Sequence, residues 1–300
     1  MQSFYQLAKQ IYDMNNPREV RRAVIFCARA WLHRGEMQKL DAFFQKDPIL
    51  AQLAEIYPFV YEQPTRAFFY NKSTFDERAR IVEQHMLFLC GKLRADVLFP
   101  LYQRVSVPLW QGIMCMGEQM TAALFFDYGQ RKEGLLSVIL RLGAASLYQI
   151  IFWIVPAEDG ANAMWIGAMQ GPNMENARDV VKAATKACHT YRTKNLVLYI
   201  AQAVARSLGI GRIYAVTNEG YYANNHVRVD RKLKTDFSAF WREAGGTDTA
   251  DVRFMELPLI EPRKTMEEVP TRKRAVYRRR FALLDAIDAE VSASVRAVLR

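Results

Sequence analysis

LLSVILRL at 135–142, SLYQIIFWIV at 146–155 and AMWIGAMQG at 163–171 are three apolar, β-branched and aromatic runs in succession. Gly143 breaks the first pair and Asp159-Gly160 the second. Asp-Gly between such runs marks a hairpin, because its turn needs positive φ. The period then changes. Leu196, Ile200, Val204 and Leu208 recur every four residues, with Val197, Ala201 and Ala205 in the row beside them. Both rows lie on one face, which predicts a helix over 196–208 packed hard on something flat. Gly209 stands where a helix C-terminus is capped. GRIYAVTN at 211–218 reads as a further strand. Meander, helix, strand predicts an α+β chain built on a mixed, mostly antiparallel sheet with packed helices.

Upstream, residues 1–104 read as helical. Pro17 and the following REVRRAVIFCARAWLHRG predict a helix with proline in its first turn. Val20, Val24, Cys27 and Trp31 share one side, arginines take the other, and Gly35 is expected to end it. Helices are also predicted over 36–45, in ILAQLAEIYP (49–58), and in DERARIVEQHMLFLCGKL (76–93) with Ser73 or Thr74 as cap. Residues 95–115 hold Pro100, Pro108 and Trp110 and favour no single element. TAALFFDYG (121–129) predicts a first strand. Downstream come a polar loop (219–235), a short helix (236–246), a late strand in RFMELPLI (253–260) and a tail helix from Pro270. The expected division is a helical N-terminal region, 1–110, and an α/β domain, 111–300, ending in a basic helix.

The 300 residues are 51% hydrophobic and 12% aromatic, enough for a substantial core and too apolar for wholesale disorder. The net charge of +10 suits an acidic partner: nucleic acid, a phosphorylated ligand or an anionic lipid surface. Cys27, Cys90, Cys115 and Cys188 form no CxxC and sit in apolar surroundings, so they read as reduced, buried thiols. His33, His85, His189 and His226 lack ligand spacing, and no metal is expected. The N-terminus has no signal-peptide pattern. Residues 135–156 are interrupted by Arg141, Gly143 and Gln149, which argues against a simple spanning helix. The expectation is a soluble, cytoplasmic chain that touches the inner membrane peripherally.

Four constellations are candidates for carrying chemistry. In CHTYRTKNLVLYI (188–200), Thr193 or Asn195 is placed to N-cap the following helix. A helix N-terminus offers free N–H groups to an anion, and His189, Arg192 and Lys194 stand beside it. In IGAMQGP (166–172), Gly167 and Gly171 permit close backbone approach and Gln170 donates or accepts hydrogen bonds. The loop after the last core strand holds Asn218, Tyr221, Tyr222, Asn224, Asn225, His226 and Arg228, with His226 as the natural general base. The tail carries Arg272, Lys273, Arg274, Arg278, Arg279 and Arg280, suited to lipid or nucleic-acid phosphates. HExxH, GxSxG, Walker, CxxC and GxGxxG patterns are absent.

TyrProPhe at 57–59, ERARIVEQH ending at His85, EGLLSVILRL at 133–142, IGAMQGP, LGIGRIYAVTN and KRAVYRRRFALLD together resemble the VirK/YbjX family of Gram-negative bacteria. The resemblance covers most of the chain from about residue 50 onward. Met86 and Thr193 depart from it, standing where an aromatic and a proline are expected. It implies a setting of virulence, envelope integrity and resistance to cationic antimicrobial peptides, but no catalytic residues. The strand order itself resembles the GNAT-like acyltransferase fold. The leading expectation is therefore an acyl or aminoacyl transferase with an envelope- or lipid-related acceptor. Its donor would be acyl-CoA or another phosphate-bearing carrier, with Gln170, Gly171, His189, Arg192, Lys194 and Asn195 binding it. His226, Asn218 and Tyr222 are the expected catalytic residues. The alternative is a non-catalytic, membrane-peripheral factor that keeps the fold. Nucleic acid is a poorer fit, since no reading helix or zinc module is recognisable.

Overall fold

The computed structural model describes residues 3–225 and 235–300. α1 (Phe4–Ile11) opens with a capping box between Ser3 and Gln6, and α2 (Pro17–Leu32) starts at its proline as expected. The junction after α2 is His33, and Gly35 lies in the first turn of α3 (Arg34–Phe44) instead of ending a helix. The inward face of α2 is Ala23, Phe26 and Ala30; Val24 and Trp31 are exposed. Two alanines let α2 seat closely, so the neighbouring, bulkier row was left outside. α4 (Pro48–Ile56) and α5 (Phe59–Glu62) follow. Thr74 and Glu77 form the capping box of α6 (Phe75–Lys92). α7 (Ala95–Tyr102) tolerates Pro100 near its end.

The strands are β1 (Val107–Cys115), β2 (Glu118–Phe125), β3 (Leu136–Leu142), β4 (Ala145–Pro156) and β5 (Asn162–Gln170). α8 (Ala177–Ala187) and α9 (Thr193–Ser207) lead to β6 (Arg212–Val216). α10 (Phe237–Glu243), β7 (Thr247–Asp248), β8 (Phe254–Leu257) and α11 (Arg274–Val298) complete the chain. Among the described residues the sheet runs β1-β2-β3-β4-β5-β6-β8-β7. Every pairing is antiparallel except β5–β6. The α+β expectation holds. β1 is an edge strand, which is why Pro108 is accepted there: an edge leaves room for a missing N–H.

α9 is more deeply placed than its two rows implied. Leu196 through Ala205 are all buried, because the sheet takes one side and α11 the other. Gly209 adopts φ +74°, and the Ile210 N–H returns to the Ala205 carbonyl, closing the helix in a Schellman turn. α11 docks through Leu284, Ile287, Val291 and Val295. Across the sheet, α6 packs on β4 and brings in His85. His85 Nδ1 accepts the Ile154 N–H at 3.0 Å, which places the ring proton on Nε2. Nε2 then donates to the Tyr102 hydroxyl, and that hydroxyl donates to the Leu135 carbonyl. This relay satisfies the sheet just before β3 begins, and His85 is a packed, hydrogen-bonded core histidine.

Candidate functional site

β5 and β6 are parallel and pair from Ala163–Arg212 to Ile166–Ala215. Beyond that point they part. β5 stays with β4 as far as Gln170, while Thr217, just past β6, bonds to Arg253 on the β8 side. From Gly167 to Gln170 the β6-facing edge of β5 therefore has no strand partner among the described residues. A register shift between Ile151 and Phe152 leaves Gly167 as the extra residue of a bulge. Glycine is required there: a Cβ would lie 1.9 Å from the Glu133 carbonyl oxygen.

That close approach delivers the Glu133 side chain to the floor of the opening. Its Oε2 accepts from Gln170 Nε2 and its Oε1 from the Tyr221 hydroxyl, both at 2.7 Å. Glu133 is buried, whereas Gln170 is exposed and Tyr221 half-buried, so the carboxylate lies one layer beneath solvent. Burial pushes its proton affinity up, opposed in part by those two hydrogen bonds. Tyr221 is held protonated by burial and by Glu133 itself. Tyr222, 7% exposed, meets the Tyr221 ring edge-on and interacts with its hydroxyl. Beside this group, Gln149 donates to Ser137, and Ser137 donates toward Phe125. Gln149 and Gln170 are a directly paired couple on one sheet face. Buried polar side chains in a row across a sheet are costly unless satisfied, and these are.

Side chains alternate along β5, so Met169 and Gly171 belong to the opposite face from Gln170. There they line a cleft of about 440 Å³ with Tyr148, Lys194, Asp236, Phe240 and Glu243. Gln170 and Lys194, both expected to hold a donor, thus flank the end of β5 from different sides. Thr193 and Asn195 do not cap α9. The N-cap is Arg192, with no side-chain cap, and Thr193 Oγ1 and Asn195 Oδ1 are buried without partners among the described residues. Thr193 is already helical there, so its hydroxyl cannot fold back on the first turn. Arg192 and Lys194 both reach Glu243, and Lys194 Nζ also sits 4.4 Å over the Phe240 ring. Burial, then Arg192, makes Lys194 less basic than a free lysine.

The other expected site residues are spread out. Asn218 is committed to the β6–α10 connection: its Oδ1 accepts from Phe237 N and its Nδ2 donates to Asp236, the N-cap of α10. His189 is turned toward α11, its carbonyl accepting from Arg280 Nε and Nη2. His226 lies outside the described residues, as does Arg228. In the tail, Arg280 is spent on His189 and Thr190 and Arg274 on the Val269 carbonyl. Arg272, Lys273, Arg278 and Arg279 are exposed and form no salt bridge among the described residues. The tail's own acids serve elsewhere: Asp285 pairs with Arg263 and Asp288 with Arg206.

The family model described as "Protein of unknown function (DUF535)" matches residues 15–293. The chain belongs to this family. Escherichia coli YbjX is 34% identical over 182 residues, 60% of this chain and 55% of YbjX. A Haemophilus influenzae protein is 28% identical over 262 residues, covering 86% of this chain and 83% of its own. A Mannheimia haemolytica protein named "Membrane protein LapB" is 26% identical over 185 residues, 60% of this chain and 76% of that one. The motif resemblance to the VirK/YbjX family therefore holds, and every residue of the β5–β6 opening lies within the matched span. Among the described residues no helix is long and apolar enough to cross a membrane.

Glu133 is the residue of this opening that sequence reasoning missed. It opens EGLLSVILRL, and a carboxylate three residues before an apolar strand was the available signal.

Proposed function

We propose that this chain is a GNAT-like acyl or aminoacyl transferase, with an envelope- or lipid-related acceptor and a phosphate-bearing donor such as acyl-CoA. The observation that carries the reading is the parting of parallel β5 and β6 around buried Glu133. The donor's amide arm would run along the unpaired edge of β5 from Gly167 to Gly171, and its phosphates would lie toward Arg192 and Lys194. Glu133, its proton affinity raised by burial, takes the proton of the attacking amine or hydroxyl. The new bond forms to the donor's carbonyl carbon as the bond to the carrier sulfur breaks. The proton passes from Glu133 to the departing thiolate, and free N–H groups of the β5 edge hold the oxyanion. Tyr222 and Tyr221 form the hydrogen-bonded chain behind the carboxylate.

The Glu243 contact is compatible with this donor. The side chains of Arg192 and Glu243 are 46% and 48% exposed, and such a pair contributes about 0–1 kcal/mol. A polyphosphate can displace it. The name of the Mannheimia relative supports an acceptor at or near a membrane. Calorimetry of the full chain with acetyl-CoA and with long-chain acyl-CoA tests the reading. Saturable binding that weakens in Gly167→Ala is expected; no binding of any acyl-CoA removes this donor class.

A further inference from the structure

The β1–β2 hairpin ends in an apolar tip. Met114 and Met116 are each 62% exposed, at the turn end of the β1–β2 pair. Contacts through Cys188, His189 and β1 tie that tip to a basic corner. Cys188, just after α8, lies with its sulfur 3.9 Å from that of Met120, near the start of β2. His189, the next residue, is bonded by Arg280 of α11. β1 itself packs against both α8 and α11. Around this junction Lys182, Lys186, Arg278 and Arg279 are exposed and form no salt bridge among the described residues, and Arg272 and Lys273 continue the row.

We propose that this corner docks on an anionic lipid bilayer, with Met114 and Met116 entering the interface and the cations lying over headgroup phosphates. The +10 net charge supplies the sign of the partner. The methionines decide its class. A nucleic acid would reward the cations and leave two solvated thioethers unused, whereas an acyl boundary rewards both. Unbranched, adaptable methionine suits a disordered surface better than a shaped protein pocket. The surface is independent of the transfer reading and stands if acyl-CoA does not bind.

Co-sedimentation of the full chain with phosphatidylcholine vesicles, alone or mixed with phosphatidylglycerol, tests it. Met114→Ser/Met116→Asn removes the tip; asparagine suits residue 116, whose φ is +53°. The wild type should bind the anionic vesicles only, and release in about 1 M salt, where charges are screened beyond about 3 Å. The double variant, with unchanged circular dichroism, should lose at least about tenfold in affinity, as should Arg278→Glu/Arg279→Glu. Four results would overturn the proposal: no binding to anionic vesicles, equal binding to neutral ones, full binding by the methionine variant, or a wild-type dimer that this variant abolishes.

Discussion

The Tyr221 hydroxyl donates to Glu133 at 2.7 Å across 88 residues of sequence, and this bond closes the floor of the β5–β6 opening. The tyrosine arrives on the loop after β6, which is pinned by the Tyr70–Tyr221 bridge and by Asn71 N–H on the Gly220 carbonyl. The glutamate arrives through the Gly167 bulge. Removing the carboxylate should separate chemistry from binding. Glu133→Gln should cut transfer by about 10²-fold or more while donor affinity changes little, because general-base catalysis contributes about 10²–10⁴-fold. Transfer kinetics and calorimetry on the same protein check the split; equal loss in both would give Glu133 a binding role.

The same variant has a pH signature. The folded carboxyl is raised above its unfolded value, so its favourable contribution is full below about pH 4.3 and is lost as pH rises through the folded value. Glu133→Gln removes that term. Urea unfolding at pH 5 and pH 8 should show the variant gaining stability relative to wild type at the higher pH.

Gly167→Ala should destabilise by about 1–3 kcal/mol, since the Glu133 backbone has to move for the new methyl to fit. Gly35→Ala is the control. It lies within α3 with nothing within 4 Å of its Cβ, and should stabilise by about 0.5–1 kcal/mol. Denaturant midpoints of the two variants should move in opposite directions.

How much of this could be read from residues alone depends on range. Strands β3 to β6 declare themselves as short apolar, β-branched runs and helix α9 through its period of four, and the Asp159-Gly160 turn marks the meander. β1 was hidden by Pro108, whose tolerance follows from an edge position that only the assembled sheet defines. Val24 and Trp31 looked like core because α2 has more apolar surface than its neighbours can cover. Gln170 and Gly171 were legible as a strand end with small residues. Their partner Glu133 was not, because its burial comes from a bulge and a loop far away in sequence. Lys194 and Arg192 were legible as cations, but not Glu243, which joins them from α10.

His85 sets an acid limit on the fold. Burial pulls its proton affinity down to about pKa 3, and its Nδ1 is occupied by the Ile154 N–H. The folded value lies below the unfolded one, so the contribution is full above about pH 6.5 and is lost as pH falls toward 3. Stability should fall by as much as about 1.4 kcal/mol per pH unit between about pH 6 and 4 from this residue. His85→Leu should flatten that slope and lower stability at pH 7 by about 1–3 kcal/mol, leaving the Ile154 N–H unpaired. Urea titrations at a series of pH values measure both.

Arg192, Lys194 and Glu243 make the donor site testable by opposite signs. Replacing Arg192 and Lys194 together with alanine should weaken a CoA-type ligand by about 1–3 kcal/mol, the range for hydrogen bonds to charged groups. The melting temperature should move little, because the ion pairs with Glu243 are partly exposed and such pairs contribute about 0–1 kcal/mol to folding. Glu243→Gln should act the other way. It frees both cations from their internal competitor without emptying the cleft, so binding should tighten and its dependence on salt should steepen. A ligand that bound elsewhere would respond to neither change. If Glu243→Gln weakened binding, the carboxylate would be a ligand contact and the phosphates would lie away from Arg192. Calorimetry with acetyl-CoA at two salt concentrations, on the wild type and both variants, separates these arrangements.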